Sequence, residues 1–317
     1  MSAPQSAAID SSLISRIPGV AVALVALVVV FGITSPNFLS VGNITNILVQ
    51  STILLLVALP MTLIIMTEGL DLSAGAVLTF ASIILASVSI ATGSVAFGIL
   101  AGLAAALAFG ILNGSLIAFF GIPPFIVTLG TLGVAQGLSL VVTDGQSVVG
   151  IPEVIGQLYA ASLLGIPLPI IISILAYAFT HVLLYHTPFG NYIFALGGNR
   201  EALRLAGVSD RKILIGVYAL GGVMVGFAAL LMTARMNAAH PTAAIGMEFD
   251  AIAAVAVGGT SFERGDGWLL GTLLGVLAVG VLRNGLNLLA VPSSVQVACI
   301  GGLVIAALLI DGLRGRK

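Results

Sequence analysis

Long apolar runs recur along the chain at lengths that fit a membrane better than a soluble core. A span needs about 20 mainly apolar residues. Runs that meet or approach this lie at 17–34, 44–66, 72–92, 95–120, 124–143, 166–186, 213–234, 249–262, 268–290 and 295–312. The first is longer than the apolar core of a secretory leader, and "SPNFLSVGNITN" follows it where a small-residue cleavage site would stand. It reads as a retained span. The third and eighth runs each begin at an acidic, irregular stretch, "EGLDLSAG" at Glu68–Gly75 and "MEFDAIAAVAVGG" at Met247–Gly259. Gly145–Gly165 is too polar and broken to span, and predicts an external loop with a short helix. The pattern predicts an all-α membrane protein of about ten transmembrane helices. It divides into a tail 1–16, a membrane domain 17–312 and a tail 313–317.

Composition agrees and excludes several classes. Hydrophobic residues make up 59% of the chain and charged residues 7%, far too few charges to cover a soluble fold of 317 residues. A net charge of -1 without a basic tract gives nucleic acid no electrostatic foothold. Cys299 is the single cysteine, so no internal disulfide can form, and three scattered histidines offer no metal-ligand spacing.

The charges are concentrated. Arg200, Glu201, Arg204, Asp210, Arg211 and Lys212 fall within one loop, 187–212, and Arg314, Arg316 and Lys317 close the chain. Lys and Arg collect on cytoplasmic loops, so both places are expected inside, with an even number of spans between them. Ten spans with both ends cytoplasmic meet this condition, as do eight spans with two re-entrant segments. Arg16 is the only basic residue of the first half.

Glycines four apart at Gly98/Gly102, Gly110/Gly114, Gly222/Gly226 and Gly271/Gly275 permit close helix approach, which drives packing in lipid. "LAAALAFGILNGSLIAFFGIPPF" (Leu103–Phe125) also resembles "LLGVLAVGVLRNGLNLLAVPSSV" (Leu273–Val295). The copies are five spans apart and so oppositely oriented, and each lies downstream of an acidic break. This is the plan of an inverted repeat around a midplane pathway.

Within the charged loop, Asn199 is placed to cap the helix "REALRLA", Glu201 sits in its first turn three residues before Arg204, and Gly207 ends it. Ser209 or Asp210 can cap the next span. Tyr192, Ile193, Phe194 and Leu196 are apolar residues in a cytoplasmic segment and want a partner surface. Elsewhere, Glu68, Asp71 and Ser73 read as capping or structural residues at the first break, as does Asp250 at the second. Asn46, Gln50, Asn113, Asn284 and Asn287 are candidate pathway residues, since uncharged amides can replace sugar hydration without trapping it. Arg283 either snorkels to an interface or faces a water-filled cavity, and Trp268 and Tyr185 suit interface anchors. No phosphate-binding Gly loop with Lys-Ser/Thr occurs.

"TEGLDLSAGAVLTFASI", "GIPPFIVTLGTLGVAQGLSLVVTDGQSV", "TPFGNYIFALGGNREALRLAGVS" and "EFDAIAAVAVGGTSFERGDGWLLGTLLGVLAVGVLRNGLNLL" resemble, in order, the permease subunits of bacterial ribose-type sugar ABC importers. The likeness runs from about Pro36 onward. It implies the ABC importer permease fold in the bacterial inner membrane, as a homodimer or paired permease. It also implies a cytoplasmic sugar-type ABC ATPase that binds ATP and Mg, and a periplasmic sugar-binding protein; this chain itself holds no cofactor or metal and catalyses nothing. The charged helix then resembles a coupling helix. Gly197, Gly198, Asn199, Glu201, Ala202, Arg204, Ala206 and Gly207 are its expected ATPase-coupling residues. One departure stands out: the family's "GGIDLSVGS" is "EGLDLSAGA" here, with Glu68 for Gly and Ala76 for Ser.

Two other classes compete. An ion-coupled secondary transporter of a small polar solute needs ionisable sites at midplane, for which only Glu68, Asp71 and Arg283 stand out. An intramembrane enzyme would need a His/Asp/Ser or metal constellation that the chain lacks. The charge distribution yields a topology test. Seven of the eleven Lys and Arg residues lie in the loop 187–212 or at the C-terminus, so cysteines placed at Ser209 and Gly315 should resist an impermeant thiol reagent applied to whole cells. Labelling from outside would overturn the orientation.

Overall fold

The computed structural model describes residues 19–261 and 265–314. The predicted tail 1–16, the last residue of the eighth run, and Arg316 and Lys317 lie outside the described residues. Helix follows the apolar runs closely: α1 (Gly19–Thr34), α2 (Val41–Met66), α3 (Ala74–Thr92), α4 (Val95–Phe120) and α5 (Pro124–Thr143) come first. The polar segment 145–165 and the residues just after it form α6 (Glu153–Ala160) and the hairpin β1 (Ser162–Leu163) and β2 (Ile166–Pro167). Then come α7 (Leu168–His186), α8 (Pro188–Gly198), α9 (Arg200–Leu205), α10 (Asp210–Met236), α11 (Met247–Val257), α12 (Leu269–Leu288) and α13 (Ser293–Arg314).

Among the described residues seven helices are long and apolar enough to cross a membrane: α2, α3, α4, α5, α7, α10 and α12. The eighth predicted run is only the 11-residue α11. At 1.5 Å per residue it reaches ~16 Å, about half the hydrocarbon thickness. Gly246 and Gly258 bracket it, and the left-handed Gly246 (φ 87°) turns the chain into its first turn.

Helix α2 is the centre of the body. Ser40 caps it, its hydroxyl accepting from the Asn43 N–H at 3.3 Å, and every residue from Ser51 to Met66 is buried. A helix apolar on all sides has no reason to face a polar phase and is wrapped by others. The outer helices are turned the other way: Phe97, Leu100, Phe119, Phe120, Val141 and Phe179 are exposed, as suits a body solvated by lipid.

The glycine pairs meet in seams. A Cβ at Gly110 would collide with the Tyr218 carbonyl, and one at Gly222 with the Ala106 carbonyl. One at Gly114 would lie 2.8 Å from Ile215 Cα, and one at Gly226 2.8 Å from a Leu103 methyl. The pairs of α4 and α10 are thus two sides of one close backbone contact. Gly98 and Gly102 rest on α3, and Gly271 and Gly275 on the Gly258 and Ala254 carbonyls of α11.

Helix α3 starts well inside the molecule. Tyr218 donates its hydroxyl to the Leu70 carbonyl at 3.1 Å, and Ser82 donates to the Ala229 carbonyl at 3.2 Å. Helices α3 and α10 therefore run in parallel. Counting back from Ser82 places the first turn of α3 ~18 Å along the ~40 Å length of α10. The break before α3 lies near mid-depth.

The α4–α10 seam predicts that Gly110→Ala lowers thermal stability in detergent by about 1–3 kcal/mol, because backbone must move to admit the methyl. Gly42, with nothing within 4 Å of its added Cβ, should tolerate Ala. Equal melting of the two variants would sink the seam.

Candidate translocation and coupling site

The charged loop folds as predicted at both ends of its short helix. The Asn199 side chain accepts from the Ala202 N–H at 2.8 Å. At the other end Gly207 takes φ 78°, its N–H donates to the Arg204 carbonyl at 2.9 Å, and the Val208 N–H reaches the Leu203 carbonyl at 3.3 Å. These two bonds close the helix in the left-handed terminator that favours glycine.

The electrostatics differ from the expected Glu201–Arg204 pair. Arg204 turns to Asp210, with Nε at 3.0 Å and Nη2 at 2.6 Å from Oδ2, and Arg200 joins it with Nε at 2.8 Å. A buried carboxylate that collects two guanidinium groups makes stronger bonds than an exposed Glu–Arg pair on a helix surface. The hydrogen bond to Asp210 and its charge raise the Arg204 pKa above its ordinary value. Ser209 makes no side-chain cap, so α10 starts at a residue held from α9.

The apolar residues of the loop find part of their partner surface in the same chain. Ile193 and Leu196 of α8 are buried, Phe194 is half-buried, and Tyr192 is exposed. Gly197 faces inward, where a Cβ would collide with the Met66 carbonyl at the end of α2. Gly198, Asn199, Glu201, Ala202, Arg204, Ala206 and Gly207 are exposed, as is Leu205, at 84%. Helix α8 is thus a wedge against α2, and α9 is the outward surface.

Met66 leads directly into the first break. The Glu68 N–H bonds the Ile65 carbonyl and the Gly69 N–H the Ile64 carbonyl, each at 2.9 Å, with Glu68 at φ 59°. This is the same terminator as at Gly207, with a glutamate in the left-handed position. Asp71 caps locally, accepting from the Ser73 N–H at 2.9 Å and the Ser73 hydroxyl at 2.5 Å. Ser73, at the N-cap position of α3, makes no side-chain cap itself. It receives the Asn113 amide at 2.9 Å, while the Asn113 oxygen takes the Thr131 hydroxyl at 2.7 Å. Asp71, Ser73, Asn113 and Thr131 are all buried, so α4 and α5 hold the break by polar bonds that lipid cannot replace.

The five candidate pathway amides do not share one lining. Asn113 belongs to the network just described. Asn284 and Asn43 exchange reciprocal amide bonds, both 2.9 Å, between α12 and α2. Asn287 accepts from Gln296 at 2.7 Å across the α12–α13 turn. Asn46 and Gln50 are exposed on α2. The buried Asn113 and Asn284 have been drawn into bridges, because each partner satisfies the other at low cost, whereas Asn287 bridges from an exposed position.

The second break corrects the expected cap. Asp250 is in the first turn of α11 but accepts from Arg283 Nη2 at 2.5 Å. Arg283 is thus tied to α11 through Asp250 while its side chain stays partly exposed. Trp268 donates to the Gly258 carbonyl at 2.8 Å, and the Tyr185 hydroxyl accepts from the Leu269 N–H at 3.2 Å, so both tie α12 to its neighbours. Glu248, two residues before Asp250, went unremarked in the pattern of the chain. Only 4% of it is exposed, and it faces α3 across Gly75. A second acid in so apolar a run was the available signal.

A multi-pass body with an outward capped helix and a broken mid-depth segment defines a membrane permease. The chain belongs to the family described as "Branched-chain amino acid transport system / permease component", matched over residues 43–308. It is 40% identical to the ribose import permease protein RbsC of Bacillus subtilis (strain 168), covering 91% of this chain and 90% of that one. It is 38% identical to RbsC of Escherichia coli (strain K12), over 92% of each. The D-allose transport system permease protein AlsC of the same strain is 37% identical, over 92% of this chain and 90% of the relative. No solved structure matches the chain.

The left-handed Glu68 gives a stability prediction. A side chain in that conformation costs roughly 1–2 kcal/mol, part of which a glycine would recover after its own unfolded-state entropy. Glu68→Gly should raise stability by about 0.5–1 kcal/mol in a detergent melt. A lower melting temperature would mean that the Glu68 side chain contributes more than its backbone costs.

Proposed function

We propose that the chain is the membrane-spanning permease subunit of an ATP-binding-cassette importer, forming the route for a monosaccharide or related polyol delivered by a periplasmic binding protein. The observation that carries this reading is the seating of α8 and α9: Gly197 rests on Met66, and α9 is stapled to α10 through Asp210. The names of the relatives, ribose and D-allose permeases, support a sugar as cargo and favour this over an ion-coupled transporter. The chain performs no covalent chemistry; ATP and Mg belong to a cytoplasmic ATPase partner. Two permeases pair in the bacterial inner membrane, with both chain ends cytoplasmic.

On this reading α9 is the coupling helix. The exposed Gly198, Asn199, Glu201, Ala202, Arg204, Ala206 and Gly207 face the ATPase, and Leu205 gives that surface an apolar anchor. Displacement of α9 on ATP binding reaches α10 through Asp210 and the end of α2 through α8, which biases the break 67–73 between two arrangements. Asn46 and Gln50, exposed four residues apart on α2, line the route. Counting α1, α13 and the region of α11 gives ten crossing segments, with α3 and α11 as corresponding members of an inverted repeat. Both begin at acidic breaks, and they meet near their N-termini, where Gly75 faces Glu248.

Uptake by the complex reconstituted with its ATPase and binding protein should require ATP and survive a protonophore. Gly207→Pro should assemble and retain the ATPase, yet import at less than about a tenth of the wild-type rate. Proline cannot take φ 78° and has no N–H for the Arg204 carbonyl. Normal import by this variant would reduce α9 to a connection.

A further inference from the structure

The contact between α3 and α11 leaves a largely apolar cavity with a polar edge that none of the bonds above fills. The segment between α10 and α11 folds onto the start of α3, where the Ala244 N–H donates to the Thr79 hydroxyl oxygen at 3.2 Å. Gly75 makes the approach possible, since a Cβ there would collide with Glu248 Oε2. Glu248 Oε1 accepts from the Gly246 N–H at 3.3 Å. Its Oε2 is buried and has no hydrogen-bond partner among the described residues. Beside it lies a cavity of about 50 Å³, walled by Ala76, Leu132 and Ile245, with Thr79, Gln136 and Glu248 as its polar lining.

The chemistry of this lining selects a ligand class. A buried carboxyl oxygen without a partner calls for a hydrogen-bonding group, and a hydroxyl can donate or accept there. The first turn of α3 beside it presents the positive end of a helix dipole, which favours the anion and disfavours a bound cation. A hard cation would also need six or more oxygens, whereas only three polar side chains line the space. Hydroxyl groups fit better: they donate to Glu248, exchange bonds with the Gln136 amide, and set their C–H faces against Ala76 and Leu132. The volume has room for a few water-sized groups, enough for the hydroxylated edge of a sugar and too little for the whole molecule.

We propose that the Glu248–Gln136–Thr79 cavity is a hydroxyl-binding station for a neutral monosaccharide at mid-depth in the permease. The proposal rests on the importer reading above and adds to it the place where the cargo is held. The amides Asn46 and Gln50 lie on another helix and are independent of it. Because the carboxylate lies against Gly75 of α3 and is held by the Gly246 N–H at the start of α11, the station changes shape whenever α3 and α11 shift against each other.

The test uses the reconstituted complex in proteoliposomes, with radiolabelled D-ribose, D-allose, L-arabinose and D-galactose as cargo. Glu248→Gln, nearly isosteric, and Gln136→Leu, at a half-buried position, should assemble in the membrane and still co-purify with the ATPase. Maximal uptake of the imported sugar should fall about tenfold or more, because the lost contacts are made during passage and not on the binding protein. In a Cys299→Ser background, Gln136→Cys should react with a small thiosulfonate, and turnover with the imported sugar should slow that reaction. Wild-type uptake with an unaffected Glu248→Gln, or labelling indifferent to sugar, would overturn the station and leave the importer intact. Absence of any sugar uptake by the wild-type complex would overturn both.

Discussion

The seven residues between α2 and α3 set the central constraint. A non-helical segment at mid-depth exposes peptide groups that lipid cannot satisfy, so protein must satisfy them. Leu70 offers a carbonyl that both Tyr218 and Thr128 reach, at 3.1 and 3.3 Å, while Asp71 turns back to Ser73. Ser73 in turn accepts from Asn113, which accepts from Thr131. Helices α4, α5 and α10 are all committed to this one break. Their close approach is what the glycines of α4 and α10 permit.

The break also joins the two ends of the function. On one side Met66 carries α8 through Gly197, and with it the outward α9. On the other side Gly75, two residues after Ser73, faces Glu248. A displacement of α9 therefore has a short path of packed backbone to the proposed sugar station. Packed interiors of this kind have discrete arrangements and resist gradual deformation, which is the property a two-state importer needs.

Two polar choices have a physical logic that runs against simple expectation. Glu201 was placed to pair with Arg204, but Asp210 collects both Arg204 and Arg200, because a carboxylate at the start of α10 is more buried than one on the surface of α9. Asp250 was placed to cap α11, but Arg283 takes it. In both cases a buried carboxylate takes a partly exposed guanidinium from another helix in place of the local bond that sequence spacing reveals.

The sequence by itself determined the membrane class, the apolar helices, the glycine seams, and both caps of α9. These follow from period, length and local backbone chemistry, which a short window of residues contains. The resemblance of the four quoted blocks also pointed to the permease family that the comparison establishes. Only the tertiary structure decided that α11 is half a span, that the buried Asn113 and Asn284 are bridging amides, and that one Glu248 oxygen has no partner among the described residues. A buried polar group is defined by which partner reaches it across tens or hundreds of residues. Asn43 and Asn284 find each other only when α2 and α12 are packed side by side.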